Sequence, residues 1–116
     1  MTLLLPRASV VLIALDPTEG HEQRGTRPCV VVSASEISSH QRFPMICVVP
    51  LTGRAGEGLL YPRLEPGSSG LQKTSWALVD QLRSVDKRRI VRRYGLINPR
   101  DMTHIDEALL MYLGLS

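Results

Sequence analysis

The sequence predicts a mainly β protein with one principal helix: a small, strongly curved β-barrel carrying a C-terminal α-helix. Three observations lead there. Short runs rich in Val, Ile and Leu recur along the chain at strand length. Clusters of turn residues punctuate them, as in Pro66-Gly67-Ser68-Ser69-Gly70. Only the end of the chain, from Asn98 onward, combines helix-capping signals with helical periodicity.

Ser9–Leu15 reads as the first strand, dense in Val, Leu and Ile. Pro28–Ser33 is the second, and its leading proline is tolerated because the ladder has scarcely begun there. Ala34–Pro44 is polar and serine-rich, with room for one short helical turn. Met45–Leu51 is the third strand, running out at Pro50 and Thr52, and Gly53–Gly58 is a loop. Leu59–Leu64 reads as a strand of imperfect alternation. Trp76–Val85 is the longest strand expected. Its alternation sets Ala77, Val79, Gln81 and Arg83 on one face and Trp76, Leu78, Asp80 and Leu82 on the other. Asp80 then needs a partner, because an unpaired buried carboxylate is costly. Asp86–Arg89 suits a helical turn and Ile90–Ile97 a last strand. In the closing helix Asn98 is the N-cap, Pro99 the first helical residue and Asp101 part of the first turn. Met102, Ile105, Leu109 and Met111–Leu113 supply its apolar stripe.

At 116 residues the chain fits a single domain over residues 1–116, enough for one modest core. Its apolar share of 43% is ordinary for a globular protein, and a charged share of 22% argues against disorder. No apolar run approaches the roughly 20 residues of a membrane span. The start, Met1–Pro6, lacks signal-peptide architecture. Cys29 and Cys47 lie in apolar runs without metal-site spacing or a disulfide framework, which predicts free core thiols. The expectation is a soluble, cytoplasmic protein.

The net charge of +3 is uneven. From Arg83 to Arg93, six basic residues face one acid, Asp86; the stretch nets +5 and leaves −2 for the rest. Such asymmetry marks either a solvated face or a surface that meets a polyanion. Aromatics are few (Phe43, Tyr61, Trp76, Tyr94 and Tyr112), so base stacking is poorly supplied and phosphate contacts would carry more of any affinity for a nucleic acid.

The chemistry gathers in the loop that opens Asp16–Ser33, D-P-T-E-G-H-E-Q-R-G-T-R-P-C-V-V-V-S. Gly20 and Gly25 allow tight turning and close approach of backbone to a ligand. His21, Glu22, Gln23, Arg24 and Arg27 add a candidate base, a carboxylate and two guanidinium groups. Pro28 biases Arg27 toward extended backbone, setting its fork where a phosphate would accept two parallel hydrogen bonds.

This D-P-T-x-G-x-E-Q-x-G-x-R-P pattern, followed by β-branched residues and Ser33, resembles the opening of the MazF/PemK toxins, ribosome-independent endoribonucleases of toxin–antitoxin pairs. V-V-P-L-T (Val48–Thr52) resembles their second motif and Gly70–Ile90 their third, so the likeness spans roughly residues 9 to 115 in order. It implies an SH3-like barrel acting as a homodimer, single-stranded RNA as substrate, and a MazE-like antitoxin whose acidic segment covers the basic groove. Ala8-Ser9 departs from the family's usual Gly-Asp ahead of the first strand.

RNA carries its own nucleophile, the 2′-hydroxyl, so cleavage needs a base, positive charge at the phosphate and a proton for the leaving oxygen. The expected products are a 2′,3′-cyclic phosphate and a 5′-hydroxyl. Arg27 is the candidate for stabilising the transition state, its alternative being an ion pair with Glu22 or Asp16. Thr52 would donate to the same phosphate, a role the resemblance favours over simple packing. An arginine stays protonated, so Glu22 is the preferred base and His21, whose intrinsic pKa lies near neutrality, its rival. Asp80 and Gln81 match a family pair that either orients loops or touches RNA, and Ser33 matches a recurring polar residue. Gln23, Arg24, Arg83, Lys87 and Arg88 complete the expected RNA surface. The sequence has no H-E-x-x-H, close cysteine pair or grouped aspartates, so metal-independent activity without a cofactor is expected. The alternatives are a CcdB-like toxin that binds gyrase without catalysis, and an RNA-binding barrel that has lost its chemistry.

Overall fold

The computed structural model describes residues 4–115, so Met1, Thr2 and Leu3 of the leucine-rich start lie outside the described residues. Seven strands follow one another as β1 (Ser9–Ala14), β2 (Thr26–Val31), β3 (Met45–Thr52), β4 (Arg63–Leu64), β5 (Ser75–Ala77), β6 (Arg83–Asp86) and β7 (Ile90–Leu96). Two helices join them, a single turn α1 (Ser35–Ser38) and the long α2 (Pro99–Tyr112). All pairings are antiparallel, in the order β4-β5-β3-β2-β1-β7, with β6 also on β3. The sheet curls into a half-barrel, as the short strands and single closing helix predict.

Side chains fill both faces of the curl. Val10, Val30, Val49, Leu51 and Val79 pack under Ile105, Ala108 and Leu109 of α2. On the opposite face Leu5, Val11, Ile13, Leu15, Cys29, Val31, Val48 and Val85 form a second cluster. Successive residues of β1 and β2 alternate between the two, as strand geometry requires. Both cysteines are free, Cys29 buried and Cys47 half-buried. Among the described residues no helix is long and apolar enough to cross a membrane.

Three expectations need correction. Leu59–Leu64 forms a strand only at Arg63–Leu64; before it, the Tyr61 amide turns back onto the Gly58 carbonyl at 3.1 Å. Trp76–Val85 is not one strand but β5, a 3₁₀ turn at Val79–Gln81, and β6. The cause is register. Leu51 faces Ala77 and Val48 faces Arg83, so three steps along β3 span six along this segment. The surplus residues are taken up in the turn. Finally, the apolar stripe of α2 buries Met102, Ile105, Ala108 and Leu109, whereas Met111, Tyr112 and Leu113 are exposed.

The helix start follows its signals. The Asn98 side chain accepts from the Asp101 amide at 2.8 Å, and its Nδ2 donates to Asp101 Oδ2 at 2.9 Å. Asp101 is buried, and that same oxygen accepts from the Glu65 amide at 2.8 Å, which docks the helix start against the chain after β4.

Candidate active site

The site begins where β2 and β3 part. Their ladder ends at Cys29 opposite Pro50. Pro28 and Pro50 have no N–H to donate, which favours an end to pairing at this level. Beyond it Thr26–Pro28 remain on β1, while Leu51 and Thr52 pair with β5. Continued two residues along each strand, the register sets Arg27 and Thr52 on facing arms of this split, on the same side of the sheet. Thr52 Oγ1 accepts from the Arg54 amide at 3.1 Å, leaving its hydroxyl hydrogen free for a ligand. Arg27 is exposed and donates Nε to the Arg24 carbonyl at 2.9 Å. Among the described residues it forms no ion pair with Glu22 or Asp16.

Beside Pro50 opens a cavity of about 320 Å³ lined by Leu15, His21, Glu22, Gln23, Pro50, Asp80, Gln81, Leu82 and Arg83; neither Arg27 nor Thr52 lines it. Its loop is closed at the base by Asp16, whose Oδ2 accepts from the Gly25 amide at 3.2 Å, while the Leu15 amide donates to the Gly25 carbonyl at 2.9 Å. Gly25 has φ +73°, a conformation that suits glycine. Arg89 donates Nη1 to the carbonyls of Ala14 and Asp16, tying the loop to the Lys87–Arg89 turn between β6 and β7. Glu22 Oε1 accepts from the Glu19 amide at 2.6 Å. Gln81 reaches the loop from the 3₁₀ turn: Oε1 accepts from the Gln23 amide at 2.7 Å and Nε2 donates to the His21 carbonyl at 3.2 Å.

Asp80 is partnered at one oxygen, while among the described residues nothing bonds its other, buried oxygen, Oδ1. Tyr61 donates its hydroxyl to Asp80 Oδ2 at 2.7 Å, and that bond to a carboxylate is the main reason the phenol is held above its ordinary pKa. Arg83 donates Nη1 to the Leu15 carbonyl at 3.2 Å and lies near enough to Cys29 to counter, in part, the burial that pushes this thiol up to about 12.

The other candidates sit elsewhere. Ser33 Oγ is engaged with Ser38 Oγ at 2.6 Å and the Cys47 amide at 3.1 Å, anchoring α1 to β3. Lys87 Nζ donates to the carbonyls of His40, at 2.8 Å, and Ile37, at 3.4 Å. Arg88 makes two bonds to the Asp86 carboxylate, which is held below its usual range by them. Both line a different cavity, with Ser38, Ser39 and Pro44. Arg24 is exposed on the loop rim. Tyr61, Asp16 and Arg89 also serve the site: the Asp-Pro ahead of the glycines signals Asp16 and the basic run contains Arg89, whereas nothing local marks Tyr61. Another cavity, about 750 Å³ between α2 and residues 58–65, shares no residue with the split. Among the described residues no group of three or more His, Cys, Asp or Glu is placed to hold a metal ion.

This fold and loop have clear relatives. The family model for PemK-like, MazF-like toxins of type II toxin–antitoxin systems matches residues 6–113. The chain belongs to that family. Among solved structures, MazF from Deinococcus radiodurans is similar at a TM-score of 0.81 and 24% identity, over 97% of this chain and 98% of that one. An endoribonuclease from a mycobacterial species, in complex with its cognate antitoxin, matches at 0.79 and 21%, over 97% of each chain. The Mycobacterium tuberculosis toxin MazF-mt6 matches at 0.76 and 16%, over 93% and 98%. At these identities the shared property is the fold. Toxins of this family are generally endoribonucleases.

Proposed function

We propose that this chain is the toxin of a toxin–antitoxin pair and a sequence-specific endoribonuclease that cuts single-stranded RNA without a metal ion. The observation that carries the reading is the split of β2 from β3, with Arg27 and Thr52 on its arms and Glu22 on the adjoining loop. Glu22 accepts the 2′-hydroxyl proton through the carboxylate oxygen not engaged by Glu19. The 2′-oxygen attacks phosphorus, the bond to the 5′-oxygen breaks, and a 2′,3′-cyclic phosphate and a 5′-hydroxyl result. Arg27 and the Thr52 hydroxyl stabilise the charge on the phosphorane-like transition state. His21, exposed on the same loop, is the rival candidate for the base.

Partners follow from the same surface. An antitoxin with a flexible acidic segment complements the Arg24, Arg27 and Arg83 groups around the split. The exposed apolar end of α2, Leu110–Leu113, supports a homodimer. RNA as the substrate places the working protein in the cytoplasm.

The test is end-labelled single-stranded RNA of many triplet contexts, incubated with protein in EDTA beside matching DNA and an Arg27→Ala control. Cleavage by the wild type alone, at discrete sites and with 5′-hydroxyl ends, is expected, with a loss of at least about 100-fold in the control. Complete loss on chelation would overturn the metal-free chemistry. An unchanged rate in Glu22→Gln would remove Glu22 as base. Tight RNA binding without turnover, or gyrase inhibition, would replace the nuclease reading.

A further inference from the structure

We infer that Gln81 is a positioning residue that clamps the His21–Gln23 loop and thereby holds Glu22 in register with Arg27 and Thr52; the inference rests on the nuclease reading above. Its amide hydrogen-bonds the backbone of the two residues flanking Glu22 and, among the described residues, no side chain. Oε1 takes the Gln23 N–H at 2.7 Å and Nε2 gives to the His21 C=O at 3.2 Å. The orientation of the amide is not arbitrary, because a backbone N–H only donates and a carbonyl only accepts.

A clamp is useful only if its own base is fixed, and here the base is fixed on three sides. Val79, fully buried, carries the 3₁₀ turn into the core below α2. The Leu78 amide donates to the Pro50 carbonyl at 2.9 Å and the Val79 amide to the Leu60 carbonyl at 3.1 Å. Asp80 is held by the Tyr61 hydroxyl, and Tyr112 of α2 donates to the Asp80 carbonyl at 3.3 Å. The loop itself has little else. Among the described residues, the loop between Asp16 and Gly25 is bonded to the chain outside it by Arg89 and the Leu15 amide at its base, by Arg27 Nε on the Arg24 carbonyl, and by Gln81, which alone reaches the His21–Gln23 segment. Glu22 is exposed, so packing does not set its position. A general base displaced by about 1 Å loses on the order of 100-fold in rate.

Two variants and two readouts test this. Gln81→Met keeps length without either hydrogen bond. Gln81→Glu keeps the acceptor for Gln23 but aims a second acceptor at the His21 carbonyl. On single-stranded RNA carrying the wild-type cleavage motif, both should lower kcat by about 10- to 100-fold, with KM within about threefold and the cut sites unchanged. In the RNA-free protein, amide exchange at Gln23 should speed up about tenfold or more in Gln81→Met. In Gln81→Glu the exchange ratio to wild type at the same pH should recover toward one near pH 4, where a protonated carboxyl regains the donor. A raised KM with unchanged kcat, or an altered cut site, would overturn the inference in favour of a direct RNA contact. Unchanged Gln23 exchange in both variants would also overturn it. If the wild type cuts no RNA, the nuclease reading fails separately, and exchange at Gln23 alone decides whether the clamp exists.

Discussion

Replacing Cys29 with alanine tests the packing directly beneath Arg27. Cys29 lies two residues along β2 from Arg27, fully buried against Val11, Val31 and Val48. Burial raises its thiol from 9.0 to about 12, with the Arg83 guanidinium pulling weakly the other way. The folded pKa therefore lies above the unfolded one. The stability this thiol protects is fully present below about pH 9 and is lost as pH climbs toward 12. Over that window the unfolded chain releases a proton that the folded chain keeps. The loss amounts to about 0.1 kcal/mol at pH 8 and about 1.4 kcal/mol at pH 10. Urea unfolding of wild type and Cys29→Ala from pH 7 to 10 measures it, since Lys and Tyr titration is common to both and cancels. The alanine variant loses the sulfur's packing at every pH, so the diagnostic is the change in the difference, not its size. In the folded protein at pH 8, about one Cys29 in 10⁴ is thiolate, and alkylation should be correspondingly slow. A stability difference that stays flat to pH 10 would show that the sulfur is not in a dry core, and the placement of β2 against β1 and β3 would be wrong.

Two further outcomes concern the backbone. Ala8 has φ +78°, where a Cβ is disfavoured by roughly 1–2 kcal/mol; Ala8→Gly should raise stability by roughly 0.5–1 kcal/mol after the entropy of glycine is charged against it, and a lowered urea midpoint would refute this. A Cβ on Gly95 would run into the Ser68 carbonyl oxygen, where the Gly95 amide also donates to the Ser69 carbonyl at 3.0 Å. Gly95→Ala should cost about 1–3 kcal/mol or more by thermal unfolding, because the opposing atom is backbone and cannot rotate away.

The Ala8 conformation also explains a departure in the sequence. The family pattern named above has glycine where this chain has Ala8, and Ala8 takes a left-handed conformation at φ +78°. The Ala8 amide donates to the Val31 carbonyl at 2.8 Å, its carbonyl accepts from Ile97 at 2.9 Å, and Ser9 Oγ donates to Pro6. Those bonds hold a conformation that alanine alone would avoid.

What was readable from the chain alone is what neighbouring residues decide among themselves. The Asn98–Pro99–Asp101 cap, the β-branched runs of β1, β2 and β3, and the turn at Lys87–Arg89 rest on interactions within a few residues. The Asp16–Pro28 and Val48–Thr52 motifs also identified the family. Tertiary structure decided everything that depends on a distant partner. Alternation over Trp76–Val85 is compatible with a strand, yet β3 pairs with its two halves in registers three residues apart, and the excess becomes the turn that presents Gln81. Met111–Leu113 continue a helical stripe, but the sheet ends beneath Leu109, and these residues meet solvent. Lys87 reads as a free cation and is occupied by the carbonyls of a helix some 47 residues away in sequence. Periodicity records which face a side chain takes; only pairing of the strands determines what that face meets.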